Sequence, residues 1–257
     1  MLEVSILILI LKVLHMLMPG DSGITEAGSA EIVCGSIVFC SEGFFSGRSD
    51  IDSKLLKESG SDRVVFLPTA AAYQSVEHSI EIARDRWAEA GASLYSVPIL
   101  ARRDAEDSSY AQVLRDARLI SIGDGSLPHL RSVLHRSAAL DSILSAWHSG
   151  AVIVGEGAGA MALCNPMIDT RGGALTVGLG LVRGIVVLTD LGHESTEKVH
   201  RSIALAAPDH CVVGVENATM LVRDMVGQWS VYGDGHVRIF KHGQNAGMDE
   251  LRQVEVA

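Results

Sequence analysis

The segment Ala151-Val-Ile-Val-Gly-Glu-Gly157-Ala-Gly-Ala-Met-Ala-Leu163 constrains this chain more than any other. A β-branched apolar run passes through a glycine-rich turn into a helix-forming run, the layout of a nucleophile elbow. A sharp strand-to-helix turn lifts its apex residue above the sheet, beside backbone N–H groups able to stabilise an oxyanion. The apex residue here is Gly157, which has no side chain to attack with. The turn points to a fold and a site while withholding the atom that such chemistry uses.

Around that segment, strand-like and helix-like patterns alternate. Residues 32–40, 63–67, 94–97, 119–122 and 152–154 read as short β-branched strands, and 75–90, 110–117 and 127–147 as helices. This alternation predicts a three-layer α/β domain around a doubly wound, mostly parallel sheet, whose ligands sit at the carboxyl ends of the strands. The second half is richer in strands, at 181–188, 211–215, 220–222, 229–232 and 237–240, with one helix at 197–206. The last two strands flank Gly233-Asp-Gly235, and Asp-Gly supports the positive φ of a tight turn, so a β-hairpin near the C-terminus is expected there.

The expected organisation is an apolar N-terminal segment with its linker at 1–30, one α/β domain at 31–243, and a C-terminal tail at 244–257. Residues 1–18 carry an apolar run that is too short and too interrupted to span a membrane, which takes about 20 apolar residues. Glu3 is the one charge before that run, where an export signal needs a positive region. A cytoplasmic protein is the default reading, with export or membrane association through 1–18 the weaker one.

A net charge of −10 over 257 residues argues against nucleic-acid or anionic-lipid partners, which need clustered Lys and Arg. The four cysteines are scattered, without a CxxC pair, so neither a zinc site nor a disulfide framework is written here. His193, Glu194, Glu197 and His200 invite a metal reading, but Gly192 and the Ser195-Thr196 pair place a helix start among them. Those carboxylates then serve the helix N-terminus. No metal and no cofactor are expected. The run Gly155 to Gly159 has the wrong spacing and position for a dinucleotide loop.

Three segments together resemble peptidase family S51, the cyanophycinase and aspartyl-dipeptidase group, and the resemblance covers roughly 32–240. It implies a class I glutamine-amidotransferase-like, flavodoxin-like fold and a serine-type peptidase. Family members carry Gly-x-Ser-Ala-Gly-Ala at the elbow; Gly155-Glu156-Gly157-Ala158-Gly159-Ala160 matches it at every fixed position except the serine. The family's Gly-Gly-Asp/Asn-Gln oxyanion loop aligns with Gly123-Asp124-Gly125-Ser126, where the first position alone agrees. The family's His-Phe pair has no counterpart; Asp190-Leu191 stands at about that place, with His193 the nearest imidazole. Glu216, in Val213-Gly-Val-Glu-Asn-Ala-Thr219, keeps the acidic residue that the family has near its site.

Departures at serine, histidine and oxyanion loop fall together on catalytic positions while the framework glycines stay. Loss of a triad nucleophile costs about a million-fold in rate. The expectation is therefore an S51-like protein without serine hydrolase activity whose pocket serves a ligand or partner, such as a small peptide or amino-acid-like molecule. Two alternatives stand beside it. One is a diverged hydrolase of Asp-containing peptides using Ser126 or Glu156, although Ser126 reads better as the cap of a helix with Pro128 just inside it, and Glu156 as a solvated cleft carboxylate. The other is an interaction subunit that docks through its apolar N-terminus, and a homodimer is also left open.

Overall fold

Parallel strands buried on both faces need apolar residues at every position, and the centre of the sheet has them. In the computed structural model, which describes residues 34–41, 47–189, 196–206 and 209–257, β1 (Ile37–Cys40), β4 (Leu119–Ile122) and most of β5 (Val152–Glu156) are fully buried. With β2 (Arg63–Leu67) and β3 (Ser93–Ser96) they form the parallel part of a seven-stranded sheet. Its order is β13-β12-β1-β5-β4-β2-β3, in which β12 (Thr219–Arg223) and β13 (Trp229–Gly233) are antiparallel additions. The mostly parallel α/β architecture is as the sequence pattern implies.

The period-two alternation of each strand divides the core into two layers. Val38, Cys40, Val64, Leu119, Val152 and Val154 face α1 (Arg48–Ser59) and α2 (Val76–Glu89). Ile37, Phe39, Leu67, Ile120, Ile122 and Ile153 face the opposite layer. That layer holds α3 (Ser108–Asp116), α4 (Leu127–Leu134) and α5 (Ala138–His148). Caps fix the helix starts: the Ser75 hydroxyl accepts the His78 N–H at 3.3 Å, and that of Ser137 accepts the Leu140 N–H at 3.1 Å.

Beyond α6 (Ala158–Ala162), four short strands form two pairs: β6 (Cys164–Asn165) with β9 (Val182–Arg183), and β7 (Met167–Ile168) with β8 (Leu175–Thr176). A second sheet orders β10 (Ile185–Thr189), β11 (Cys211–Val215), β14 (Val237–Lys241) and β15 (Gln244–Ala246). The helix α7 (Thr196–Leu205) lies in sequence between β10 and β11.

Three sequence expectations need correction. The strands on either side of Gly233–Gly235 do not pair with each other: β13 joins β12 in the large sheet and β14 joins β11 in the small one. The hairpins near the C-terminus are instead β12–β13 and β14–β15. Residues 127–147 are two helices, separated where Arg136 adopts φ 56° and Ser137 restarts the chain as a cap. Residues 244–257 are no loose tail: β15 extends the second sheet, Leu251 is 1% exposed, and Trp229 Nε1 donates to the Leu251 carbonyl at 2.9 Å. Residues 1–30, together with Asp190 and His193, lie outside the described residues. Among the described residues no helix is long and apolar enough to cross a membrane.

Candidate active-site elbow

Strand β5 runs between β1 and β4, so its carboxyl end opens at the middle of the sheet edge where α/β proteins bind ligands. Gly157 follows it with φ 50° and ψ −112°, and α6 begins at the next residue. A side-chain-bearing residue is strained in that conformation, as elbow apices are. Its N–H donates to the Cys40 carbonyl at 3.0 Å, which ties the apex to the end of β1. Gly159 lets α6 settle against β4, since a Cβ there would stand 2.3 Å from the Ile122 carbonyl oxygen.

The loop after β4 supplies the facing wall. Gly123 donates to the Leu67 carbonyl and Ser126 to that of Ala70, at 3.0 and 2.8 Å, holding Asp124 toward the elbow. The Asp124 Oδ1 atom accepts the Ala158 N–H at 2.6 Å. That N–H, from the residue after the apex, is the donor an elbow offers to an oxyanion. A Cβ built on Gly157 would lie 2.1 Å from Asp124 Oδ1 and 2.2 Å from its Cγ. One carboxylate thus fills both the donor site and the apex side-chain space.

Beside the apex, Glu156 is a partly exposed cleft carboxylate that is also ion-paired. Its Oε1 meets Arg86 at 2.5 Å and accepts the Ser121 hydroxyl at 3.3 Å, while its Oε2 lies 3.5 Å from Arg48. Arg86 in turn grips the fully buried Asp52 in bidentate fashion, at 2.8 and 2.6 Å. Burial works against the Arg86 charge, yet Glu156 and Asp52 outweigh it and hold its pKa above the ordinary guanidinium value. The thiol of Cys40, in the same cluster, is pushed up to about 11 by burial, against the pull of Arg86 and Arg48.

Two cavities meet here. One of about 550 Å³ is lined by Arg48, Asp52, Ile82, Asp124, Glu156 and Gly157 among others; a second, of about 640 Å³, shares Ile82, Asp124 and Glu156 and adds His78. The structure brings Gly157, Ala158, Gly123, Asp124 and Glu156 together. Ser126 occupies the N-cap position of α4, but its hydroxyl makes no cap hydrogen bond. Glu216 is engaged by β14: its oxygens accept the His236 backbone N–H at 3.0 Å and meet Arg238 at 2.6 Å. Burial would raise its pKa, but these bonds hold it below the usual carboxylate range.

Arg48, Asp52 and Arg86 are the site residues that sequence reading misses. The one local signal was the i, i+4 spacing of Arg48 and Asp52 on a helix that the hydrophobic pattern did not reveal.

A mostly parallel α/β sheet with a tight strand-to-helix turn at its carboxyl edge defines an elbow-type α/β protein. The chain belongs to peptidase family S51, whose family model matches residues 37–225. It is similar to Peptidase E of Nostoc sp. (strain PCC 7120 / SAG 25.82 / UTEX 2576), 25% identical over 221 residues that cover 79% of this chain and 85% of that one. Its fold is like that of a peptidase from an acI-B1 Actinobacterium, with a TM-score of 0.73 at 23% identity, covering 87% of this chain and 95% of the other. A putative Peptidase E protein from Listeria monocytogenes EGD-e gives 0.58 at 16% identity, with coverages of 79% and 100%.

Proposed function

We propose that this S51 family member has lost serine-type hydrolysis and keeps its cleft for binding a small peptide or amino-acid-like ligand. The supporting observation is the Asp124 carboxylate, 2.6 Å from the Ala158 nitrogen. Serine peptidases need an apex oxygen and an empty donor site for the oxyanion. Here the apex is glycine, and the donor faces a negative charge that would oppose a developing one. The cleft itself persists, with a volume in the range of small-molecule sites.

The test is hydrolysis by the purified protein of Asp-X dipeptides, of β-Asp-Arg polymer, and of a generic ester. No turnover above buffer is the expected result. Turnover abolished by altering one cleft residue, or covalent labelling of Ser126 by a fluorophosphonate, would overturn the reading.

A further inference from the structure

Strand β13 ends the large sheet, with β12 as its one partner strand among the described residues. Two bonds fix the phase of that ladder: the Asp224 N–H donates to the Gln228 carbonyl at 2.9 Å, and the Asp234 N–H to that of Ala218 at 3.0 Å. In an antiparallel pair, hydrogen-bonded and non-hydrogen-bonded residue pairs alternate. The backbone groups of Ser230 and Tyr232 therefore point to β12, and those of Trp229, Val231 and Gly233 point outward. Among the described residues, no backbone hydrogen bond is made by those three outside their strand pair.

Such an edge is a template for another strand, and sheets guard it with Lys, Pro, bulges or a covering element. Gln228-Trp-Ser-Val-Tyr-Gly233 carries no charge and no proline, and its Trp, Val and Tyr favour strand. Of the eight large hydrophobics that stand exposed among the described residues, Met225, Val226 and Val231 lie on this one hairpin. We propose that a second copy of this chain covers the edge, β13 pairing antiparallel with β13 about a two-fold axis at Val231.

Val231 is the middle residue of β13, and the outward-facing residues are symmetric about it. An axis there sets Val231 against Val231 of the second copy and Trp229 against Gly233, so every outward residue meets one in hydrogen-bonded register. The β-branched pair at the axis adds packing, and no charge on the strand is desolvated. Charge complementarity comes from α1. Lys54 Nζ lies 3.3 Å from the Tyr232 hydroxyl and 5.6 Å from its ring centroid, while Glu58, one turn further, lines a small cleft with Ser230. The axis sets Tyr232 opposite Ser230 of the second copy, which brings each Lys54 toward the other copy's Glu58. An edge that pairs with itself is used up once, so association closes at two.

Sedimentation velocity of the full chain over a dilution series tests the proposal, and a monomer–dimer equilibrium is the expected result. Val231→Pro removes one outward N–H and no bond to β12, as proline on an edge strand does. Val231→Lys sets two ammonium groups against each other at the axis. Each variant, shown folded by circular dichroism, should raise the dimer dissociation constant about a hundred-fold or more, the scale of juxtaposed like charges and lost seam bonds. Lys54→Glu, which opposes carboxylates across the seam, should raise it about several-fold. Should the proline variant fail to fold, the lysine variant carries the test. A native chain that stays monomeric at its highest soluble concentration, a dimer that survives a folded Val231 variant or Lys54→Glu undiminished, or growth beyond two copies overturns the proposal. None of these readouts involves the cleft, so the loss of serine-type hydrolysis stands or falls separately.

Discussion

Asp124 and Gly157 share one elbow: the backbone turn belongs to Gly157, and the side chain that occupies its apex space belongs to Asp124. The pair is coupled sterically, because a serine at 157 and an aspartate at 124 compete for the same volume. Gly157→Ser should therefore destabilise the protein by about 1–3 kcal/mol, from the strained backbone and the displaced carboxylate. Asp124→Gly should relieve part of that loss, giving a double-mutant coupling of about 0.5–3 kcal/mol. Urea denaturation of the two single variants and the double variant measures it, and strict additivity would refute the shared-volume account. Hydrolytic activity should not return in Gly157→Ser, since the His-Phe pair of the family is also missing from the chain.

Arg86 is the bridge between the helical layer and the elbow. Its guanidinium joins Asp52 on α1 to Glu156 at the end of β5, with 8% of the side chain exposed. Arg86→Met takes the bidentate partner from the fully buried Asp52 and leaves it only Arg48 at 3.9 Å, a loss on the scale of breaking a buried pair, about 3–5 kcal/mol at most. Asp52→Asn added to Arg86→Met should recover part of it by removing the poorly compensated charge. Urea midpoints of the single and double variants decide the matter; a double variant weaker than Arg86→Met would count against the bridge.

How much of this was legible in the residues follows from the range of each interaction. The elbow could be read because its requirements are local: Gly157 for the turn, and Gly159 for close approach to β4. The parallel strands could be read because double-sided burial writes itself as continuous apolar runs. The Arg48, Asp52, Arg86 and Glu156 cluster could not, because its partners come from three elements far apart in sequence. The misassigned hairpin has a related cause. Asp-Gly chemistry at 234–235 permits a tight turn, but β13 and β14 are each claimed by a different partner strand, and tertiary pairing overrides the local signal.

Cys40 gives the stability an alkaline limit. Burial raises its folded-state pKa from 9.0 to about 11, so the native state holds the thiol proton more tightly than the unfolded chain does. The sign follows from linkage: this contribution is fully present below the unfolded value and is lost as pH rises through the folded one. Stability should fall between pH 9.0 and about 11, and Cys40→Ala should flatten that part of the curve while lowering the plateau. Urea midpoints across that range test it. The native thiol should also resist dithionitrobenzoate at neutral pH, being fully buried and protonated.

Two glycine substitutions should separate close approach from turn flexibility. At Gly159 an added methyl would meet the backbone at the end of β4: the Ile122 oxygen at 2.3 Å, its carbonyl carbon at 3.0 Å and the Gly123 oxygen at 3.2 Å. Backbone cannot swing aside like a side chain, so α6 must lift from β4, and Gly159→Ala should cost about 1–3 kcal/mol as overpacking does. At Gly172 an added methyl meets nothing within 4 Å, and φ lies outside the left-handed range. Gly172→Ala should be neutral or stabilising by up to about 1 kcal/mol, through the smaller entropy of the unfolded chain. Thermal melts of the two variants provide the comparison. Equal losses would mean that the contact between α6 and β4 does not hold the elbow in place, and the account of why residue 159 is glycine would fail with it.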